Sequence, residues 1–182
     1  MSLASTCFLT GATGFLGTAL AERLTTRGVR LHLLVRDARK VQALQAAGHV
    51  VHLGDLTDAA SVQRAMQACA VDSKGVFDVI NNAALISYHV RDRAAQQSIN
   101  VAGTRTMADA ALRQGARRFC HVSSVVTVAS SVDGLPVDET AAFNLGPCRV
   151  DYVDTKRAAE EYVLSLSSKL DSVTVNPGAI FG

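Results

Sequence analysis

Tyr152 and Lys156 stand four residues apart in the stretch "DYVDTKRAAEEYV", whose pattern is helical, so their side chains project from one face. A free phenol with a pKa of about 10 is almost wholly protonated and a sluggish acid or base at neutral pH. A neighbouring ammonium favours the phenolate and lowers that pKa, which would make Tyr152 a usable proton donor or acceptor. Taken alone, a tyrosine and a lysine at this spacing are more often an exposed surface pair, so the rest of the chain has to give the pair its meaning.

A second stretch, "TGATGFLG", sets Gly11, Gly14 and Gly17 at equal spacing directly after the apolar run Cys7-Phe8-Leu9. Either this is a tight turn with no ligand, or it is a turn stripped of side chains so that backbone N–H groups approach a phosphate. Other chemistries fail on spacing. His49 and His52 lie three apart in a predicted strand and should point to opposite faces, which argues against a shared metal site. His32, His89 and His121 look isolated, so no metal is expected. There is no G-x-S-x-G elbow of a hydrolase and no P-loop lysine.

The elements that must position these residues follow from the hydrophobic pattern. Thr6 to Thr10 and Val29 to Val35 read as strands, joined by a helix in which Leu16, Leu20 and Leu24 repeat until Gly28 stops it. A helix over Ala38 to Ala47 leads to a strand over His49 to Leu53, and a helix opened by Asp58 leads to a strand over Phe77 to Asn81. A long helical region ends at Gly115. Strand Arg118 to Val122, a loop with Gly134 and Pro136, a helix from about Tyr152 to Leu170 and strand Val173 to Val175 complete the chain. This alternation predicts one α/β domain over 1–182, a doubly wound parallel sheet of Rossmann type with right-handed crossovers.

In such a sheet ligands bind beyond the carboxyl ends of the strands, where the three glycines fall. Gly11 would permit the turn, Gly14 would admit a pyrophosphate at the positive helix end, and Gly17 would let helix and strand pack closely. The second strand ends "LLVR", where an NAD site usually carries an acid for the ribose 2′-hydroxyl. Arg36 stands there instead and can pair with a 2′-phosphate, with Lys40 or Arg39 adding charge, so the expected cofactor is NADP. Asp37 next door keeps NAD open.

The 182 residues are 48% hydrophobic, with 18 basic and 16 acidic residues mixed along the chain, which excludes disorder and gives no clustered basic face for nucleic acid. Cys7, Cys69, Cys120 and Cys148 lie far apart with no paired spacing, as in a reduced cytoplasmic protein. No apolar run reaches the roughly 18 residues a membrane span needs.

Seven segments together resemble the short-chain dehydrogenase/reductase superfamily, in its extended branch of epimerases, dehydratases and reductases. They are "TGATGFLG", "GDLTD" (54–58), "NNAA" (81–84), "NVAGT" (100–104), "HVSS" (121–124), "YVDTK" (152–156) and "NPGAIFG" (176–182). "LLVRD" is more similar to dihydroflavonol reductases and hydroxysteroid dehydrogenases than to sugar-nucleotide epimerases. The resemblance implies that Thr13, Phe15 and Leu16 join the glycines in holding the cofactor, that Asp55 and Leu56 hold the adenine, and that Asn82, Ala83 and Ala84 line it. Pro177 and Gly178, with Asn176, would close around the nicotinamide. It assigns catalysis to Ser124, which would hold the substrate oxygen, to Tyr152 as acid/base, to Lys156, which would tune Tyr152 and hold the ribose, and to Asn100 in support.

By the same resemblance a further C-terminal portion would supply most of the substrate pocket, so the chain looks like a fragment or a truncated form. Homodimers through helices are expected. The leading function is hydride transfer between nicotinamide and a small carbonyl or alcohol substrate. The alternatives are an NAD-dependent nucleotide-sugar epimerase or dehydratase, and a sensor that binds the nucleotide without chemistry.

Overall fold

A computed structural model of the chain describes residues 4–181. Its strands are β1 (Thr6–Thr10), β2 (Arg30–Val35), β3 (Val50–Leu53), β4 (Asp78–Asn81), β5 (Arg118–Val122) and β6 (Ser172–Val175). They pair in parallel throughout, in the order β3-β2-β1-β4-β5-β6. The chain moves outward on one side of β1, then crosses back to β4 on the other, so the crevice between β1 and β4 is a topological switch point.

Helices α1 (Phe15–Thr26) and α2 (Gln42–Ala46) cover one face, and α3 (Ala59–Asp72), α5 (Thr104–Arg113) and α6 (Asp151–Ser165) the other. The strand period explains the division. Cys7 and Leu9 of β1 join Leu31, Leu33 and Ala21 on the α1 side, while Phe8 between them joins Met66, Phe77 and Met107 on the α3 side. β1, in the middle, is buried along its whole length, as a parallel strand covered on both faces must be. The first face is incompletely covered: Cys120 is half-buried, and Val173 and Val175 of edge strand β6 remain about 40% exposed.

Helix ends follow their residues. Gly28, at φ +74°, closes α1 with N–H bonds from Gly28 to Thr25 and from Val29 to Leu24. The Asp58 carboxylate accepts from the N–H of Ala60 at the start of α3. Three helical expectations change. The helix expected over Ala38 to Ala47 begins as a 3₁₀ turn, Ala38–Val41, and only its second part is α-helical. The long helical region is divided into the short α4 (Arg93–Gln96), a wide π turn over Gln97–Gly103, and α5. Gly103 packs there so closely that a Cβ would lie 2.9 Å from the Leu56 Cβ. α6 ends at Ser165, and successive turns bring Leu170 back into the core.

His32 is not isolated, contrary to the sequence expectation. Its ring stacks on His52, bonds to it at 3.0 Å, and meets the Asp72 carboxylate at 3.0 Å. The partners sit on β3 and α3, brought together only by the fold. Among the described residues no group of histidines, cysteines and carboxylates could hold a metal, no disulfide forms, and no helix is long and apolar enough to cross a membrane.

Candidate functional site

The glycine turn lies where β1 meets α1. Gly11 has φ +72°, and a Cβ on it would lie 2.8–2.9 Å from the Ala83 backbone. A Cβ on Gly17 would lie 1.9 Å from the Gly11 carbonyl oxygen. Both glycines are therefore demanded by packing alone. Gly14 is different, because a Cβ there would meet only the Gly11 oxygen at 3.4 Å. It is the N-cap of α1, exposed, with no side chain capping the helix. The N–H groups of Phe15, Leu16 and Gly17 have no partner within the helix, and they carry the positive end of its dipole.

This turn opens into a cleft of about 860 Å³ that runs across the carboxyl ends of the strands. Thr13, Gly14, Phe15 and Leu16 line it beside Arg36, Asp55 and Leu56, and Asn82, Ala83 and Ala84 form the floor beyond β4. The floor is tied to the turn. Thr10 Oγ1 accepts from the N–H groups of Asn82 and Ala83, both at 3.1 Å, and donates to Asn81 Oδ1 at 2.9 Å. The Asn82 amide donates to the Gly11 carbonyl.

Arg36 is exposed at the end of β2 and lines the cleft. The carboxylate of Asp37 is engaged elsewhere: Oδ1 accepts from Arg39 N and Nε, and Oδ2 from Arg39 Nη2, all at 2.9–3.0 Å. That pair, led by the side-chain bond, holds the Asp37 pKa below its ordinary range. Arg39 is thus spent on Asp37, and the exposed Lys40 does not line the cleft. Asp55 accepts from Thr57 N and Oγ1, each at 2.8 Å; the backbone bond leads in pulling its pKa down, with the Arg36 charge contributing.

At the other end of the cleft stand Ser124, Tyr152 and Lys156. Ser124 caps a 3₁₀ turn (Val125–Thr127) just after β5, its hydroxyl accepting from Val126 N at 3.4 Å and lying near enough to the Tyr152 phenol to lower its pKa. Tyr152 and Lys156 lie one turn apart on α6, both buried. Lys156 Nζ donates to the Val122 carbonyl at 2.7 Å. Burial pulls its pKa down to about 8, opposed by the charge of Glu160. The balance at Tyr152 differs from the sequence expectation. Burial dominates and pushes the phenol up, the Ser124 hydroxyl pulls it down, and Tyr88 pushes it up again. The Tyr88 ring stands edge-on to Tyr152, with centroids 5.8 Å apart.

Asn100 lies behind the cleft wall, buried in the π turn, where its amide brackets Leu85. Its Oδ1 accepts from Leu85 N at 2.8 Å, and its Nδ2 donates to Leu85 O at 3.0 Å and to Thr155 Oγ1 at 3.2 Å. Gly17 lies behind the turn and does not face the cleft. Pro177 and Gly178 line the cleft after β6, while the Asn176 amide turns inward to Thr127 and Glu160. Gly182, the last residue of "NPGAIFG", lies outside the described residues. Sequence reasoning missed Thr10, Val122, Tyr88 and Glu160. Val122 acts through its backbone carbonyl, and the other three act through contacts of long sequence separation, for which a single sequence carries no signal.

A parallel sheet whose strand order reverses between β1 and β4, with an uncapped glycine turn at that point, defines a Rossmann-type dinucleotide-binding domain. The model of the NAD dependent epimerase/dehydratase family matches residues 7–182, and the chain belongs to that family. It is 33% identical, over 97% of its length and 52% of the relative's, to sterol demethylase protein B of Methylococcus capsulatus. It is 32% identical to a putative dihydroflavonol 4-reductase of Synechocystis, over 100% of its length and 51% of the relative's. Among solved structures, it superposes with a TM-score of 0.74 and 26% identity on a short-chain dehydrogenase/reductase superfamily protein of Agrobacterium tumefaciens with bound NAD, covering 94% of this chain and 48% of that one. The chain therefore spans about half the length of the relatives it matches.

Proposed function

We propose that this chain forms the nucleotide-binding and proton-transfer part of an NADP-dependent oxidoreductase that interconverts a carbonyl and an alcohol. The observation that carries the reading is one cleft with the uncapped end of α1 at one side and Tyr152, beside Ser124 and one turn from a buried Lys156, at the other. The cleft suits the cofactor, since Gly14, the one glycine of the turn that packing does not demand, faces it at the N–H groups that have no partner within α1. Those groups would hold the pyrophosphate, Asp55 and Leu56 the adenine, and Pro177 and Gly178 the nicotinamide end. Bound there, the nucleotide supplies or accepts the hydride.

The remaining steps belong to the chain's own side chains. Tyr152 gives its phenolic proton to the substrate oxygen as a carbonyl is reduced, and takes it back as an alcohol is oxidised. Ser124 donates a hydrogen bond to the same oxygen. The Lys156 ammonium, held one turn away, favours the phenolate left after proton transfer. At neutral pH the raised Tyr152 pKa keeps the proton in place until substrate needs it.

Support for NADP over NAD comes from Arg36 and Asp37 together. Arg36 lines the cleft, while both oxygens of Asp37 are held by Arg39. A relative that carries a reductase's name agrees with hydride transfer, and a neighbour solved with NAD keeps the NAD-dependent epimerase in view. Titration of the chain with NADPH and NADH, followed by nicotinamide fluorescence, tests the choice. A charge-assisted bond of about 1.5–3 kcal/mol gives NADPH an advantage on the order of ten- to a hundredfold, lost in Arg36→Ala. Equal affinity for NADH would favour the epimerase reading, and binding of neither would overturn both.

A further inference from the structure

Glu160 lies two turns after Tyr152 and one after Lys156 on α6, and it is 6% exposed. A buried carboxylate is retained only where its oxygens are well partnered. Its Oε2 takes the Thr127 hydroxyl at 2.7 Å and the Asn176 amide at 2.8 Å. Both partners lie behind the cleft and are tied to residues that line it. Thr127 Oγ1 lies 2.8 Å from the Ser124 carbonyl and 3.3 Å from the Ser123 hydroxyl. The Asn176 amide lies 2.8 Å from Thr127 Oγ1 and 3.2 Å from the Ser124 carbonyl. The backbone closes the same knot, with Val125 N donating to the Pro177 carbonyl at 2.9 Å. One carboxylate oxygen thus joins three segments distant in sequence: the Ser124–Thr127 turn, the Asn176–Pro177 segment and α6, which carries Tyr152.

We propose that Glu160 is a positioning residue that sets the Ser124 hydroxyl against Tyr152 and holds the Asn176–Pro177 segment at the nicotinamide end of the cleft. It rests on the reading of Ser124 and Tyr152 as the proton-transfer pair, and it acts through Thr127 and Asn176 without touching substrate. The role is that of an acceptor. A glutamine can place its carbonyl oxygen where Oε2 stands, leaving its amide where Oε1 faces Arg157 at 3.9 Å. Glu160→Gln therefore keeps the knot, and Glu160→Ala unties it.

The test reads Tyr152 directly, with the full chain and no nucleotide. The chain carries tyrosine labelled with ¹³C at Cζ, the Tyr152 resonance is assigned by Tyr152→Phe, and spectra are recorded at pH 7.5 beside thermal unfolding. Loss of the Ser124 hydroxyl beside the phenol moves this resonance, so Ser124→Ala sets the reference shift. Glu160→Ala should move it in the same direction, the double variant should add nothing, and Glu160→Gln should leave it in place. NADPH affinity should fall severalfold in Glu160→Ala and recover in Glu160→Gln. A lower unfolding temperature with an unmoved Tyr152 resonance would overturn the proposal, as would a glutamine variant that behaves like the alanine one. Should Glu160→Ala not fold, Thr127→Val cuts the knot at nearly constant volume and decides by the same shift or its absence. Failure of every form to bind NADPH or NADH would sink the cofactor reading, while the resonance would still decide the role of Glu160.

Discussion

Lys156 donates to the carbonyl of Val122 at 2.7 Å, so the ammonium that would serve Tyr152 is anchored to the last residue of β5. The anchor fixes α6 against the carboxyl edge of the sheet, where Tyr152 meets the cleft. It also maintains a cation in a place that burial makes unfavourable, since the Lys156 pKa is brought down to about 8. Placing charge where the fold does not favour it is a common cost of function.

Lys156→Met should separate the two. Methionine fills similar apolar space without the desolvation penalty, while the Val122 carbonyl loses a donor, a loss of about 1–3 kcal/mol that the relief offsets. The unfolding temperature should stay within a few degrees of wild type or rise. Turnover should fall by about a hundredfold or more, the usual cost of disabling acid–base catalysis. Thermal unfolding and NADPH-linked turnover check the pair of outcomes, and a large fall in stability would mean that the ammonium is structural.

A pH dependence follows from His121 on β5. It is 1% exposed, its Nδ1 lies 3.3 Å from the Asn81 amide, and its Nε2 has no partner among the described residues. Burial, helped by the Lys156 charge, pulls its pKa from 6.5 down to about 3. The unfolded chain takes up the proton first as pH falls, so stability is full above about 6.5 and declines as pH drops toward 3. The slope from this residue is about 1.4 kcal/mol per pH unit at most. His121→Asn keeps a partner for Asn81 and removes the titration. Its unfolding free energy, measured by urea from pH 7 to 4, should fall less steeply than that of wild type.

How much of this was legible in the sequence depended on the range of the interaction. β1 falls where its apolar run places it, because a strand covered on both faces is written in consecutive apolar residues, while β5 alternates buried and half-buried residues over the expected Arg118–Val122. Asp58 and Gly28 mark helix ends through local chemistry that needs no partner elsewhere. The π turn was not legible, since the residues that bend it answer to Leu85, Thr155 and Leu56 in other segments. At the site, the Tyr152–Lys156 spacing put both side chains on one helix face. The direction of the Tyr152 shift was not readable, because burial and Ser124 decide it, and neither is a property of spacing.

The three glycines predict three different phenotypes. Gly17→Ala forces a Cβ to 1.9 Å from a carbonyl oxygen and should cost several kcal/mol, because backbone and not a flexible side chain must shift. Gly11→Ala adds left-handed strain to contacts below 3.0 Å and should be as damaging. Gly14→Ala should cost about 1 kcal/mol or less, with its methyl at ordinary distance from Gly11 and otherwise in open space. The same methyl stands where a phosphate would approach, so NADPH affinity should fall tenfold or more in a protein that still folds. Unfolding curves and nucleotide titration of the three variants check the ranking.

Asn100 offers the last contrast, because its amide must donate and accept at once. Oδ1 takes the Leu85 N–H, and Nδ2 serves both the Leu85 carbonyl and Thr155. Asn100→Ala takes the partner from the half-buried Leu85 N–H and carbonyl, while Thr155 Oγ1 keeps its bond to the Tyr152 carbonyl, at about 1–3 kcal/mol for each group that water cannot reach. The Leu85 amide should lose hydrogen-exchange protection, and with it the segment that carries Tyr88 to the Tyr152 ring. Asn100→Asp is more informative. Its ionised carboxylate still accepts from Leu85 N–H but faces the Leu85 carbonyl with no proton to give, so at neutral pH it should be about as destabilised as the alanine variant. Protonation restores a donor, and the deficit relative to wild type should shrink as pH falls toward 5. A deficit that stays constant over that range would mean that the Asn100 amide is not what holds Leu85.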